Sequence, residues 1–196
     1  MCSSDLVTLG LHCCSLSGGI VPRKGQVDGV KLLAELGGRG VDASMIVVGK
    51  TWSQPYFSEL TEEIKIRQLE QRVQLMPMIK QSELASLYHK ADICLFPSYQ
   101  TAGFSRVPLE AMASGCVVIS YGNEGSDEII RDGHDGFLVR PADCAGIVAI
   151  IGGLISSPER VRLITAAARK TIETRFSLEH YVNKLERVVL DAAKGE

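Results

Sequence analysis

Two stretches of this chain gather residue types that could hold an anion. The first is Gly18-Gly19-Ile20-Val21-Pro22-Arg23-Lys24-Gly25. Its glycines let the backbone turn close to a ligand, Pro22 fixes a bend, and Arg23 and Lys24 place two cations in one turn, a set that suits a diphosphate. The second, residues 96–115, reads FPSYQTAGFSRVPLEAMASG. An apolar run passes into a polar loop and then a helix whose first turn contains Pro108, where the missing N–H costs nothing. The free amides of that helix start, aligned with the helix dipole, favour an anion. Glu110 lies near the same end, where a carboxylate is favoured, and could accept hydrogen bonds from a sugar diol. The plainer readings are a solvated basic turn and a structural acid at a helix start.

A third stretch excludes itself. Gly49-Lys50-Thr51 follows the apolar run MIVV, but the phosphate-binding pattern GxxxxGK[ST] requires glycine at position 44, where the chain has Ser44. Lys50 is read instead as a solvated loop residue near a ligand rim. The six cysteines, Cys2, Cys13, Cys14, Cys94, Cys116 and Cys144, form no CxxC pair, and no histidine is spaced to complete a zinc site. Cys94 and Cys116 sit inside the apolar runs ICLF and CVVIS and read as buried reduced thiols. Neither a disulfide, a metal nor a cofactor is expected.

The elements that must position these residues alternate along the chain. Short apolar or β-branched runs at 12–17, 45–48, 73–76, 93–96, 117–120 and 137–139 predict strands; helical spacing over 27–36, 56–72, 82–90, 107–114 and 127–131 separates them. Strands alternating with helices imply a parallel sheet covered on both faces, a doubly wound α/β domain whose ligands bind beyond the strands' carboxyl ends. Residues 144–156, 158–175 and 178–193 predict three closing helices. In the last of them Leu178, Tyr181, Val182, Leu185, Val189 and Ala192 form a helical stripe, expected to pack on the domain's own core or, failing that, on a partner domain or subunit.

Composition narrows the function classes. The 196 residues carry 21 Lys plus Arg against 23 Asp plus Glu, a formal charge of −2, which argues against a general nucleic-acid binder. With 45% hydrophobic and 22% charged residues the chain has the composition of a globular domain. The longest apolar run, 145–155, is too short to span a bilayer, which needs roughly 20 residues. Residues 1–11, opening MCSSDL, show no periodicity; they are read as an assembly artefact or truncation scar and set aside, leaving 12–196 as the domain.

Four ordered motifs carry a family resemblance: PRKG, ADICLFPS, GFSRVPLEAMASGCVVIS and DEIIRDGHDGFLV. Over roughly residues 18–190 the chain resembles the C-terminal domain of the retaining GT-B glycosyltransferases of family 4, also called glycosyl transferases group 1. The resemblance implies a Rossmann-like, nucleotide-sugar-binding domain, the C-terminal half of a GT-B fold, with an N-terminal acceptor domain outside this sequence. It also implies roles: Lys24 neutralises the donor diphosphate with Arg23 beside it, the loop at Gly103, Phe104 and Ser105 approaches phosphates and sugar, and Glu110 binds the ribose hydroxyls as the second glutamate of an E-x7-E motif. Two positions depart from the pattern. The first glutamate of that motif, which holds the transferred sugar, is replaced by Ala102, and an arginine that would pair with the lysine is replaced at Gly18 or Gly19.

The expected function is therefore the donor-binding part of an enzyme moving a hexose-type sugar from a nucleoside diphosphate sugar to an acceptor with retention, in cytoplasmic polysaccharide biosynthesis. No protein nucleophile is evident, and this stretch by itself should bind donor without turning it over. The partners implied are the nucleotide sugar and the acceptor domain, with no nucleic acid, and peripheral membrane contact through the full-length protein left open. The alternatives are another GT-B enzyme, such as a nucleotide-sugar epimerase or a phosphorylase, and a non-catalytic nucleotide- or partner-binding module, which the two departures favour.

Overall fold

Six apolar runs become the strands of one parallel sheet. A computed structural model describes the backbone of residues 11–100 and 103–194 and the side chains of 19–100 and 103–193; Ala102 and the segment 1–10 lie outside the described residues. The strands are β1 (Leu11–Ile20), β2 (Ala43–Thr51), β3 (Val73–Met76), β4 (Ile93–Phe96), β5 (Val117–Ser120) and β6 (Phe137–Leu138), and their order across the sheet is β3-β2-β1-β4-β5-β6. Every pairing is parallel. This is a Rossmann-like doubly wound sheet whose order reverses between β1 and β4, the place where such sheets bind ligands.

The helices are α1 (Gln26–Gly38), α2 (Gln54–Ile66), α3 (Gln81–Lys90), α4 (Val107–Ser114), α5 (Ser126–Ile129), α6 (Cys144–Ile155), α7 (Pro158–Arg175) and α8 (Leu178–Lys194). They cover both sheet faces because alternate strand residues point to opposite sides. Ile93, Leu95, Val117 and Ile119 join Leu33, Leu60 and Ile151 in one core layer. Cys94 and Val118 join Tyr88, Met112, Cys116 and Ala168 in the other. Cys94 and Cys116 are thus buried, as their apolar settings predict.

Three expectations are corrected. The helix expected to reach residue 72 stops at Ile66, because Gln68 takes a left-handed φ of 56° and turns Leu69 back into the core. Lys50 is the penultimate residue of β2 rather than part of a loop, paired in register with Gly19, although its side chain is exposed as expected. The stripe on α8 does not pack on the domain's own core: Tyr181, Leu185 and Val189 are 63%, 49% and 58% exposed. No single described helix is long and apolar enough to cross a membrane.

Candidate functional site

The site forms where three chain crossings meet at the carboxyl end of the sheet. Pairing of β1 with β4 is confined to Cys13 and Cys14, while β1 continues to Ile20, so the two strands part toward their carboxyl ends. Beyond β1, Pro22–Lys24 forms a single 3-10 turn that Gly25 closes at φ 67°. A Cβ on Gly25 would collide with the carbonyl oxygen of Pro97, so only glycine lets this turn cross the end of β4. A backbone hydrogen bond locks the crossing, Tyr99 N donating to Arg23 O at 2.7 Å, and Ser98 Oγ lies 3.3 Å from the same carbonyl.

The loop after β4 is anchored on its far side by α1. The hydroxyls of Tyr99 and Tyr121 both donate to Asp28 Oδ2, at 2.5 and 3.0 Å, with the two rings edge-to-face at 5.3 Å. Burial, followed by the hydrogen bond to Asp28, pushes the Tyr99 phenol up to about 12. Burial and the Asp28 charge move Tyr121 in the same direction. Both hydroxyls therefore stay protonated as donors, which holds Tyr99 and Tyr121 on α1.

At that entry Gly103 takes φ 102°, and Phe104 lies over Gly125, where any Cβ would strike its ring. Ser105 Oγ accepts from Val107 N at 3.3 Å and Ser105 N donates to the Glu124 carbonyl at 3.0 Å. Glu110, in the first turn of α4, accepts from Gln81 Nε2 at 3.1 Å and from the Tyr88 hydroxyl at 3.4 Å. Phe104, Ser105, Glu110 and Glu124, together with the apolar Ile79 and Leu84, line one cleft of about 350 Å³.

Lys24 reaches this cleft through Glu124. Its ammonium lies 2.6 and 2.7 Å from the two carboxylate oxygens and 5.5 Å from the centre of the Phe96 ring. The pair is nearly buried, the two side chains being 13% and 6% exposed. Ser98 Oγ donates to Glu124 Oε1 at 2.6 Å. Arg23 is exposed and its guanidinium donates to the Gln100 side-chain carbonyl, outside the residues that line the cleft. The fold thus brings Phe104, Ser105 and Glu110 to one cleft, with Gly103 leading into it and Lys24 at its edge through Glu124, and turns Arg23 onto the neighbouring loop.

Glu124 and Ser98 were not legible as site residues. Glu124 lies in SYGNEG, after β5, at the same sheet end as the other site loops, so the rule that ligands bind beyond strand carboxyl ends could have drawn attention to it. Among the described residues no cluster of three His, Cys, Asp or Glu side chains is disposed to hold a metal ion. The chemistry available is recognition of an anion beside Lys24 and the positive end of α4, and hydroxyl recognition by the carboxylates Glu110 and Glu124.

Comparison with known proteins gives this geometry relatives. Residues 16–171 match the sequence profile described as Glycosyl transferases group 1. The chain is 24% identical over 173 residues to a glycogen synthase of Mycobacterium tuberculosis, covering 88% of this chain and 41% of that protein. It is 29% identical over 156 residues to the GDP-mannose-dependent alpha-(1-6)-phosphatidylinositol monomannoside mannosyltransferase of Mycolicibacterium smegmatis, covering 76% and 40%. The chain therefore spans about two fifths of the length of these curated relatives. Among solved structures it is similar to the C-terminal domain of the group 1 family protein LpcC from Francisella tularensis, with TM-score 0.77, 25% identity, and 86% and 87% of the two chains covered. It shares its fold with Anabaena Alr3699/HepE, solved in complex with UDP-glucose, at TM-score 0.83 and 22% identity over 94% of this chain and 50% of that one.

Proposed function

The chain belongs to the glycosyl transferases group 1, and from that premise we propose that it is the nucleotide-sugar-binding part of an enzyme that transfers a hexose-type sugar with retention to an acceptor held by a separate domain. The observation that carries this reading is that Ser105, Glu110 and Glu124 line one cleft at the carboxyl end of the sheet, with Lys24 paired to Glu124 at its edge. The diphosphate of the donor lies beside Lys24 and the positive end of α4. Glu110 exchanges its bonds to Gln81 and Tyr88 for the two ribose hydroxyls. The base lies against the apolar wall at Ile79 and Leu84.

The same groups serve the chemistry. As the bond from the anomeric carbon to the diphosphate breaks, negative charge grows on the leaving phosphate, and an ammonium held in place with the positive end of the α4 dipole stabilises it. Attack by the acceptor hydroxyl on the face the phosphate is leaving keeps the anomeric configuration, with that phosphate taking the proton. No protein nucleophile enters. The exposed stripe of α8 is the face offered to the acceptor domain, and cytoplasmic polysaccharide synthesis is the setting that fits a nucleotide-sugar donor.

The known complexes of a related fold with UDP-glucose support the donor class. Replacement of the first E-x7-E glutamate by Ala102 supports a second reading, a nucleotide-binding module without transfer activity. Donor turnover by the full-length protein separates the two: release of nucleoside diphosphate together with a retained glycoside is expected, and binding without release would establish the module.

A further inference from the structure

Glu124 occupies its place at a cost on two counts. Its φ of 53° lies in the left-handed region, which costs a non-glycine residue about 1 kcal/mol or more, and it is 5% exposed, so its carboxylate is desolvated. Among the described residues the other non-glycine residues with positive φ, Gln68 and Ala142, are exposed. The turn does not need the carboxylate for its shape: Asn123 Nδ2 donates to Ser98 O at 2.7 Å, Ser126 Oγ donates to Asn123 O at 2.7 Å, and Ser105 binds the backbone carbonyl of Glu124 rather than its side chain. A strained, buried acid whose loop is held by other groups is expected where the acid has a chemical task.

Its surroundings define that task. Lys24 and Ser98 supply three bonds to the carboxylate, two to Oε1 and one to Oε2, while a carboxylate offers about four acceptor positions. The residue also lines the cleft that holds Glu110. On the donor-binding reading, on which this inference rests, the ribose lies at Glu110 and the diphosphate at Lys24. The group bonded to the far side of the diphosphate, the sugar, then lies beside whatever else Lys24 holds, and that is Glu124. A carboxylate repels a diphosphate but accepts hydrogen bonds from a neutral polyol. We infer that Glu124 is the residue of this chain that reads the transferred sugar, accepting its hydroxyls while Lys24 and Ser98 fix the carboxylate, and that it favours the intact donor over free nucleoside diphosphate.

Calorimetry on the 196-residue chain tests this with three matched pairs: UDP and UDP-glucose, ADP and ADP-glucose, GDP and GDP-mannose. In Glu124→Gln, removal of the competing charge tightens the free diphosphate severalfold, and loss of the charged acceptor lowers the preference for the sugar-bearing partner by about tenfold, a typical effect of one hydrogen bond to a charged group. Glu124→Gly removes the carboxylate and relieves the left-handed backbone, which offsets part of the cost of leaving Lys24 unpaired, so it serves as the second variant once circular dichroism shows it folded, and the preference must fall there too. Equal changes for diphosphate and donor in both variants would show that Glu124 only sets the charge of Lys24, overturning the inference while leaving the donor-binding reading intact. If the folded wild-type chain binds none of the six ligands, the donor-binding reading falls and this inference with it.

Discussion

The ammonium of Lys24 is held 2.6 and 2.7 Å from the two carboxylate oxygens of Glu124, so the cation aimed at a diphosphate is not a free charge. Both side chains are nearly buried, and removing one member of such a pair leaves the other uncompensated. Lys24→Ala is expected to destabilise the fold by roughly 3 kcal/mol, and the double variant Lys24→Ala with Glu124→Gly to recover most of that loss. Urea unfolding of wild type, Lys24→Ala, Glu124→Gly and the double variant checks this. Additive losses would mean that the pair is not coupled.

Gly25 tests the chain crossing that builds the site. With φ at 67° and Pro97 O where a Cβ would stand, Gly25→Ala must move the basic turn or the end of β4. A loss of more than about 2 kcal/mol is expected from left-handed strain and displacement together. Thermal unfolding measures it, and a change below 0.5 kcal/mol, roughly the scatter of surface substitutions, would show that the crossing is loose.

The pair Tyr99 and Asp28 gives the fold an alkaline limit. An unfolded tyrosine loses its proton near 10.0, whereas Tyr99, 41% exposed, is pushed up to about 12 by partial desolvation and its bond to Asp28. Between these values the folded chain keeps a proton that the unfolded chain has lost. Its contribution to stability is therefore complete below pH 10 and disappears as pH rises through 12. Melting temperatures measured across that window should fall more steeply for wild type than for Tyr99→Phe. Parallel curves would mean that the phenol does not anchor the loop.

Much of the scaffold was legible because local signals and tertiary demands agree. β3, β4 and β5 begin and end where the apolar runs do. Pro108 marks the start of α4, and Glu110 lies in its first turn, as the motif implies. The end of α2 was not legible: Ile66 and Leu69 continue the apolar spacing, and only the packing of Leu69 shows that the chain has turned left-handed at Gln68. The exposed face of α8 was also hidden, since periodicity establishes a helix but not what its stripe touches. The deepest omission was Glu124, whose partner Lys24 is 100 residues away, a contact that no local pattern encodes. The expectation for Ala102 lies outside the described residues.

Glu110 carries the central claim, that the cleft on α4 binds the ribose of a donor nucleotide. The direct measurement is calorimetric affinity of wild type and Glu110→Ala for UDP, GDP and ADP and for the 2′,3′-dideoxy form of whichever binds, with EDTA present throughout. The account predicts binding that persists in EDTA, a loss of about 1.5 to 3 kcal/mol in Glu110→Ala with the ribose ligand, and almost no loss with the dideoxy ligand. An equal penalty on both ligands, or binding that requires magnesium, would contradict it.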